Sequence, residues 1–416
     1  MGWRIWRNDK SASAMKKVKG VFCYIYIALW ILYYLQELLK IVGVIAQSIL
    51  VILIVMSIYA FIKVNMLFRV GPYLKWLNIM LFVITIYGLI QFFNGFALYP
   101  DEFNIKTGLQ FSYIQRIYSS VLPIFAFYYF TRKGDISEKN MNAIFFVLFS
   151  FSILMYYENF LLVSKKTGQD EITNNMGYRF VPLIPMLTLV KMKDIWRCLI
   201  LVLIIGFIIT AMKRGAILVG AISLLLYIFH HLKVRSTKRF IYIFVLSIVM
   251  LGFISLYLMN LYETSEYFNT RLQKTLEGDT SSREWIYSHY LEYFLYKTTN
   301  FQFLFGCGAD ATFFKLGEFA HNDWLEFAVD QGAIGVVFYM VYWIVFVKEW
   351  REYQGSLKYK QVLGDTIILY FIVSWFSMSF DGMPVAATLC IGCCLAQNEK
   401  AKRAQLINEI RNRVLI

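Results

Sequence analysis

The sequence predicts an all-α fold, a polytopic transmembrane helix bundle of about twelve spans that forms a single integral membrane domain over residues 1–416. The first observation is the composition, with 59% hydrophobic and 16% charged residues and a mean hydropathy of +0.55, values that are unusual for a soluble domain. The second is the recurrence of apolar runs of about 17 to 25 residues, the length that crosses a bilayer. The third is the clustering of lysines and arginines between alternate runs.

The apolar runs give the predicted spans in chain order. Pro123, Pro182 and Pro185 fall inside two of them, where neighbouring helices could satisfy the carbonyl groups that a proline leaves free. The predicted spans are residues 20–36, 42–63, 74–94, 116–131, 141–158, 176–190, 197–212, 215–231, 240–261, 332–348, 361–379 and 382–398.

The basic residues predict how these spans are oriented. Seven segments on one side of the predicted membrane, among them residues 4–19, 233–239 and 400–413, each carry at least three lysines or arginines. The positive-inside rule then places both termini on the inner side. The net charge of +14 follows largely from this topology. It gives little support to nucleic-acid binding, which needs a soluble basic face.

The longest polar segment, residues 262–331, lies on the outer side and directly precedes an apolar run. Loops on rigid scaffolds carry functional sites, so we expect the site here, in a loop that is partly helical. Residues 279–285 have the pattern of a helix start. The helix dipole disfavours an arginine in the first turn, so Arg283 indicates a purpose beyond helix stability. A second helix start follows at His321, with Asn322 or Asp323 as the capping residue.

His321 is the best candidate for chemistry among the four histidines. His230 and His231 belong to a predicted basic loop, and His289 is predicted to lie on the surface. Two other interpretations of His321 stay open: a structural cap or partner for Asp323 or Asp310, and a metal site with the same two aspartates. No second outer histidine lies at ligand spacing, so neither a metal nor another cofactor is expected.

Three arginines lie at or within the outer ends of predicted spans, against the charge bias. Arg116, Arg179 and Arg214 each need a partner or an aqueous cavity, because an ionised side chain is costly in the bilayer. An anionic ligand would supply such a partner, and the alternative is that the side chains extend to the lipid headgroups. Asp381, in the short outer turn before the last span, is a secondary candidate for orienting an acceptor or an arginine.

Three local patterns occur in a fixed order on the outer side. They are Lys213-Arg214-Gly215-Ala216 at the head of a helix, Ser281-Ser282-Arg283-Glu284-Trp285 in the outer segment, and Gly306 and Gly308 followed by His321-Asn322-Asp323-Trp324-Leu325-Glu326 and Gly332. In these patterns and in its predicted topology the chain resembles the O-antigen polymerase and ligase superfamily of integral membrane glycosyltransferases.

This resemblance implies a bacterial inner-membrane enzyme whose donor glycan is linked to undecaprenyl diphosphate, with an active site on the outer face and no required metal. It implies that Arg214 and Arg283 bind the donor diphosphate and that His321 accepts the proton of an acceptor hydroxyl, with inversion at the anomeric centre. Arg116, Arg179, Asp323 and Asp381 remain secondary candidates. The expected partners are the lipid-linked donor and acceptor, membrane lipids and a chain-length regulator.

The acceptor separates the functions that remain open. A polymerase of O-antigen or capsule repeat units accepts another lipid-linked repeat, whereas a ligase accepts lipid A-core, and we expect the polymerase. A glycolipid flippase or other transporter is the alternative from another class. It would show inverted repeats, broken helices and charges near the membrane midplane, whereas the arginines here cluster at the outer ends of the spans.

Overall fold

A computed structural model of the chain describes residues 9–36, 39, 41–98, 112–167, 174–232 and 283–414, together with scattered positions between 245 and 273. All regular secondary structure in these ranges is helical, which confirms the predicted all-α class. All but a few positions of the predicted span at 240–261, and the predicted helix cap at residues 280–282, lie outside the described residues.

The described residues up to Thr167 form six helices, and a proline divides one predicted span. Pro123 begins a new helix in the middle of the run at 116–131, because its fixed φ and missing N–H suit the first turn of a helix and not the interior. The helices are α1 Asp9–Leu35, α2 Val44–Leu67, α3 Pro72–Leu98, α4 Ser112–Val121, α5 Pro123–Lys133 and α6 Glu138–Thr167.

The predicted span at 176–190 is not one helix. It consists of a 3₁₀ helix, Asn175–Arg179, and the short helix α7, Leu183–Leu187, because Pro182 and Pro185 remove two backbone donors within four residues. The side chains of α7 are all buried, so this segment packs in the interior of the bundle. Two apolar helices follow, α8 Asp194–Thr210 and α9 Arg214–Leu232.

The C-terminal part contains the helices of the predicted outer segment and three long helices. The outer helices are α10 Arg283–Glu292, continued by one π-helical turn over Tyr293–Lys297, then α11 Asn300–Phe305 and α12 Ala311–Leu316. The long helices are α13 Asp323–Arg351, α14 Leu357–Val373 and α15 Val385–Val414.

Four helices within the described ranges are long and apolar enough to cross a membrane. They comprise α2, residues Pro72–Phe92 of α3, residues Lys139–Leu162 of α6, and α13, with shorter apolar helices at Gly20–Leu35 and Arg214–His230. The chain is therefore a helical membrane protein, but the predicted number of about twelve spans is not confirmed by the described residues.

Aromatic packing fixes α13 against α3. The ring of Tyr73 stacks on Phe346 with centroids 4.0 Å apart, and the Trp76 indole donates a hydrogen bond of 3.0 Å to the Phe338 carbonyl. Such ring pairs add specific geometry to the burial of apolar area. The part of α13 that contains Phe338 and Phe346 therefore has a defined place relative to α3.

The outer segment contacts α13 at a break in this helix, with Gly308 on one side of the contact and Gly332 on the other. Gly332 has φ 73° and ψ −169° and interrupts the helix, which leaves the carbonyls of Val329 and Asp330 to accept the amides of Cys307 at 2.8 Å and Gly308 at 3.0 Å. A Cβ on Gly332 would overlap the backbone of Leu304. The chain before α12 is therefore docked directly on the backbone of α13.

Candidate active site

His321 lies at the junction between the outer segment and α13. Its backbone has φ 50°, in the left-handed region that non-glycine residues rarely adopt. The next residue is the helix cap, since the Asn322 side chain accepts the amides of Trp324 at 2.9 Å and Leu325 at 3.3 Å. The Asn322 amide group in turn donates to the Trp375 carbonyl at 3.0 Å. The His321 backbone is thus fixed, while part of the residue stays exposed to solvent.

Asp323 is buried and serves to hold this junction. Its carboxylate accepts the Ser379 amide at 3.0 Å, the Phe380 amide at 3.1 Å and the Tyr339 hydroxyl at 2.7 Å. Asp323, one of the secondary candidates, thus links the start of α13 to the turn before α15 by hydrogen bonds. Of the two predicted caps, Asn322 is the one that the structure shows.

Three charged groups and partial burial determine the protonation of His321. Burial lowers its pKa below the ordinary value of 6.5, Arg283 lowers it further, Glu318 opposes this shift, and Lys213 adds to it. An imidazole with such a pKa is neutral at neutral pH and can accept a proton. The same interactions show that Arg283 and Lys213 lie within electrostatic reach of His321.

Arg283, the first residue of α10, is held by aromatic side chains from two other segments. Its guanidinium carbon lies 5.8 Å from the centre of the Phe376 ring, and the group interacts with the Tyr178 hydroxyl. That hydroxyl packs against Gly215, the residue after Arg214. The structure therefore brings the start of α9, the start of α10 and the His321 junction together.

The arrangement concentrates positive potential at this place. Helix α9 begins here with Arg214, and the described part of α10 begins with Arg283, so the positive end of the α9 dipole and the two guanidinium groups have the same sign. Helix α10 is also fixed to the junction, because the Tyr287 hydroxyl donates to the carbonyls of Trp375 at 3.2 Å and His321 at 3.5 Å. An anion with several oxygens, such as a diphosphate, has the complementary charge and acceptor groups.

Arg116 has a different environment. It binds two carboxylates, with Nη2 2.6 Å from Asp310 and Nε 2.7 Å from Asp381. Burial raises the pKa of both carboxyl groups, and Arg116 opposes this shift. Its guanidinium also lies 5.0 Å from the centre of the Phe319 ring, so Arg116 also contacts the chain just before His321. The partners of Arg116 are therefore protein carboxylates, one of which is Asp381.

Two more buried carboxylates belong to the same layer. Glu326 accepts the Ala320 amide at 2.6 Å and the Thr312 hydroxyl at 2.5 Å, and Asp330 accepts the amides of Asp310 and Thr312 at 3.1 and 3.2 Å. A cavity of about 30 Å³ lies among these groups, with room for a water molecule or two and none for a sugar. This acidic layer supports the His321 junction and does not offer a glycan site.

The structure also shows the surroundings of Arg179 and of the other histidines. The Arg179 guanidinium lies 4.3 Å from the centre of the Tyr34 ring and contacts Met155, residues of α1 and α6 rather than of the elements around His321. His230 is not in a loop: it lies in the last turns of α9, and its Nε2 is 2.8 Å from Asp365 of α14. The rest of the predicted basic loop, after Leu232, lies outside the described residues. His289 stacks on Trp285 with centroids 5.2 Å apart.

A comparison with known protein families covers the part of the chain that contains these residues. Residues 199–340 match the family described as O-Antigen ligase. The match supports the resemblance of this part of the chain to the O-antigen polymerase and ligase superfamily. The matched range contains Lys213, Arg214, Arg283 and His321, and members of this superfamily are glycosyltransferase-like enzymes. No curated protein matches the chain.

Some residues of the site were not predicted from the sequence. Tyr178 and Phe376 lie in apolar runs of a chain with 18% aromatic residues, so that no spacing distinguishes them from packing residues. Glu318 lies three positions before His321, and this proximity was a usable signal for its electrostatic influence. Lys213 stands beside Arg214 in a recognised pattern, yet only the fold shows that it acts on His321.

Proposed function

We propose that the chain transfers a glycan from a polyprenyl-diphosphate-linked donor to an acceptor hydroxyl, without a metal, and that it acts as a polymerase of surface polysaccharide repeat units. The observation that carries this proposal is the position of His321, with its lowered pKa, within electrostatic reach of Arg283 and Lys213. A neutral base beside fixed cations is what an acceptor alcohol and a diphosphate leaving group require.

The proposed reaction assigns one task to each group. Arg283 and Arg214 bind the donor diphosphate, because guanidinium groups can contact phosphate oxygens bidentately and offset the charge that develops as the bond to the anomeric carbon breaks. His321 takes the proton from the acceptor hydroxyl as its oxygen bonds to the anomeric carbon from the opposite side. The products are the extended glycan with inverted anomeric configuration, the free polyprenyl diphosphate, and a proton that His321 releases to solvent.

A ligase is the second candidate, and the description of the matched family favours it. Both reactions need the same donor site and differ only in the acceptor, which is lipid A-core for the ligase and a second lipid-linked repeat for the polymerase. For either one, we propose the inner membrane of a bacterium, cytoplasmic termini, an outward-facing site and undecaprenyl diphosphate as carrier. The clusters of lysine and arginine at residues 4–19 and 400–413 support this orientation.

Purified protein in lipid nanodiscs tests the proposal directly. It is supplied with an undecaprenyl-diphosphate-linked repeat unit, alone or with lipid A-core, and products are resolved by gel and mass spectrometry. A ladder of lipid-linked polymers supports the polymerase, and a glycan on lipid A-core that forms without a ladder supports the ligase. If neither product forms, and vesicles show the lipid-linked glycan crossing the bilayer at constant length, the transferase proposal fails and transport replaces it.

A further inference from the structure

The 3₁₀ helix that precedes α7 is a firmly anchored element close to Arg283. Asn174, fully buried, donates its amide to the Ala211 carbonyl at 2.8 Å and its side chain to the Tyr156 carbonyl at 2.9 Å. Its side-chain oxygen accepts the Met176 amide at 2.9 Å. This turn is therefore fixed against the end of α8, just before Lys213, and it carries Tyr178 toward the start of α9.

Gly215 makes room for the Tyr178 side chain. A Cβ at position 215 would overlap the Tyr178 hydroxyl and lie 2.9 Å from the Phe376 ring, closer than Cβ atoms approach other heavy atoms. Any other residue at this position would displace one or both rings. The glycine after Arg214 thus permits three segments of the chain to meet.

Arg283 is the group that these rings hold. The Tyr178 hydroxyl interacts with its guanidinium, and the Phe376 ring lies 5.8 Å from the guanidinium carbon, a distance at which a cation and an aromatic face attract each other. A flexible arginine loses less freedom on binding an anion when its guanidinium is already oriented. The contacts with Tyr178 and Phe376 orient the Arg283 guanidinium, and both residues lie outside α10.

We infer that Tyr178 is a positioning residue, which reaches over Gly215 to hold the Arg283 guanidinium beside His321 in the geometry that binds the donor diphosphate. The inference rests on the proposed function for its meaning in catalysis, but the link from Tyr178 through Arg283 to His321 can be measured without any turnover. Arg283, Glu318 and Lys213 are the charged groups that act on His321, and Tyr178 contacts the first of them.

The test uses Tyr178→Phe, which removes one oxygen atom and keeps the ring, and Tyr156→Phe as the matched control. Tyr156 lies beside the same turn and donates its hydroxyl to Thr210 at 2.8 Å, so its variant loses a hydrogen bond in the same region. The first readout is the titration of His321 by NMR, assigned by comparison with His321→Ala in a chain of four histidines. The second is the donor KM and kcat with the lipid-linked repeat.

In Tyr178→Phe the guanidinium is less constrained, so its influence on His321 weakens and His321 should titrate at a higher pH than in the wild type. The donor KM should rise about five- to tenfold, with a smaller change in kcat, as expected for one lost hydrogen bond to a charged group. Gly215→Ala should show the same two changes, and Tyr156→Phe neither.

An unchanged His321 titration and donor KM in Tyr178→Phe would overturn the inference. Equal changes in Tyr178→Phe and Tyr156→Phe would also overturn it, since they would indicate a general loosening of the turn. If the wild-type protein shows no transfer at all, the proposed function fails, while the His321 titration still tests the link between Tyr178 and Arg283.

Discussion

His321 shows how single residues determine what this site can do. The sequence marks it as the outer histidine at a helix start, but its chemistry depends on groups that the fold brings from positions 213, 283 and 318. Burial and two cations lower the pKa of the imidazole, and a nearby carboxylate opposes them. Each of these residues can therefore be tested separately from the others.

Replacing His321 should separate binding from chemistry. His321→Ala is expected to lower the rate of product formation by about two to four orders of magnitude, the usual contribution of a general base. Donor binding should persist, because Arg214 and Arg283 remain. Single-turnover rates and donor affinity of the purified variant measure the two effects, with His289→Ala as the control histidine variant. Near wild-type turnover in His321→Ala would show that the base is another group.

Two variants should shift the pH dependence of activity in opposite directions. His321 acts as a base only when neutral, so activity is lost as the pH falls through its pKa. Lys213 lowers that pKa and Glu318 raises it. Lys213→Gln should therefore move the acid limb of the kcat profile to higher pH, and Glu318→Gln should move it to lower pH. Shifts in the same direction would mean that the limb reports a different group.

The two arginines should tolerate even a conservative exchange poorly. Arg214→Lys and Arg283→Lys keep the positive charge but lose the planar group that contacts two phosphate oxygens at once. Both variants are expected to retain only a small part of the wild-type activity, mainly through a higher donor KM. Arg179→Lys, whose partners are Tyr34 and Met155, serves as the comparison. Wild-type chain lengths from both of the first two variants would contradict their assignment to the donor.

Among the helices, hydropathy predicted the spans that form continuous helices. It was misleading where an apolar run is irregular and buried inside the bundle. The runs at 42–63, 74–94 and 141–158 correspond to long apolar helices, α2, α3 and α6. The run at 176–190 is also largely apolar, yet two prolines break it into a 3₁₀ helix and a short helix that pack inside the bundle. Hydropathy measures whether residues avoid water, and it cannot distinguish a lipid-facing helix from an irregular buried segment.

The roles of the candidate site residues stay predictions, and the structure shows only where these residues lie. His321, Arg214 and Arg283 follow from local patterns and from their resemblance to a family, and all three lie at the starts of elements that the fold brings together. Tyr178 and Phe376 could not be identified, because their role arises only from contacts between segments far apart in sequence. A contact of this kind leaves no periodic signal in a single chain.

The break in α13 is an element whose geometry can be tested. Gly332→Ala places a Cβ at a backbone with φ 73°, where it also overlaps Leu304, so we expect a loss of about 1 to 3 kcal/mol in stability. Gly206→Ala in α8 is the control, because a Cβ there meets open space and alanine favours the helix by about 0.5 to 1 kcal/mol. Thermal unfolding in detergent measures both. A Gly332→Ala protein as stable as the wild type would show that the docking of residues 306–308 on α13 is not needed.

For the molecule as a whole, the site depends on a buried layer that joins distant parts of the chain. Arg116 in α4 binds Asp310 before α12 and Asp381 before α15. Asp323 and Glu326 of α13 hold the turn at 379–380 and the chain at Ala320. The outer segment is thereby fixed to the bundle by hydrogen-bonded charges as well as by apolar contacts, and the His321 junction is the part of the chain that this layer supports.

Removing the cation of this layer should therefore destabilise the whole protein. Arg116→Met keeps much of the side-chain volume but leaves Asp310 and Asp381 buried without their partner, which is expected to cost about 3 to 5 kcal/mol. Lys297→Met is the control, because the Lys297–Glu292 pair is half exposed and such pairs contribute about 0 to 1 kcal/mol. Thermal unfolding at neutral pH compares the two variants with the wild type.

The pH dependence of this loss identifies its cause. Burial already raises the pKa of both carboxyl groups, and Arg116 opposes that shift, so its removal should raise both pKa values further. A carboxyl group whose pKa is higher in the folded than in the unfolded state favours folding only below its unfolded pKa and loses that contribution as the pH rises. The deficit of Arg116→Met should therefore be largest at neutral pH and shrink toward pH 4, and adding Asp310→Asn and Asp381→Asn should recover much of the stability at neutral pH. A deficit that is independent of pH, or that the two asparagines do not reduce, would show that Arg116 stabilises the protein through packing alone.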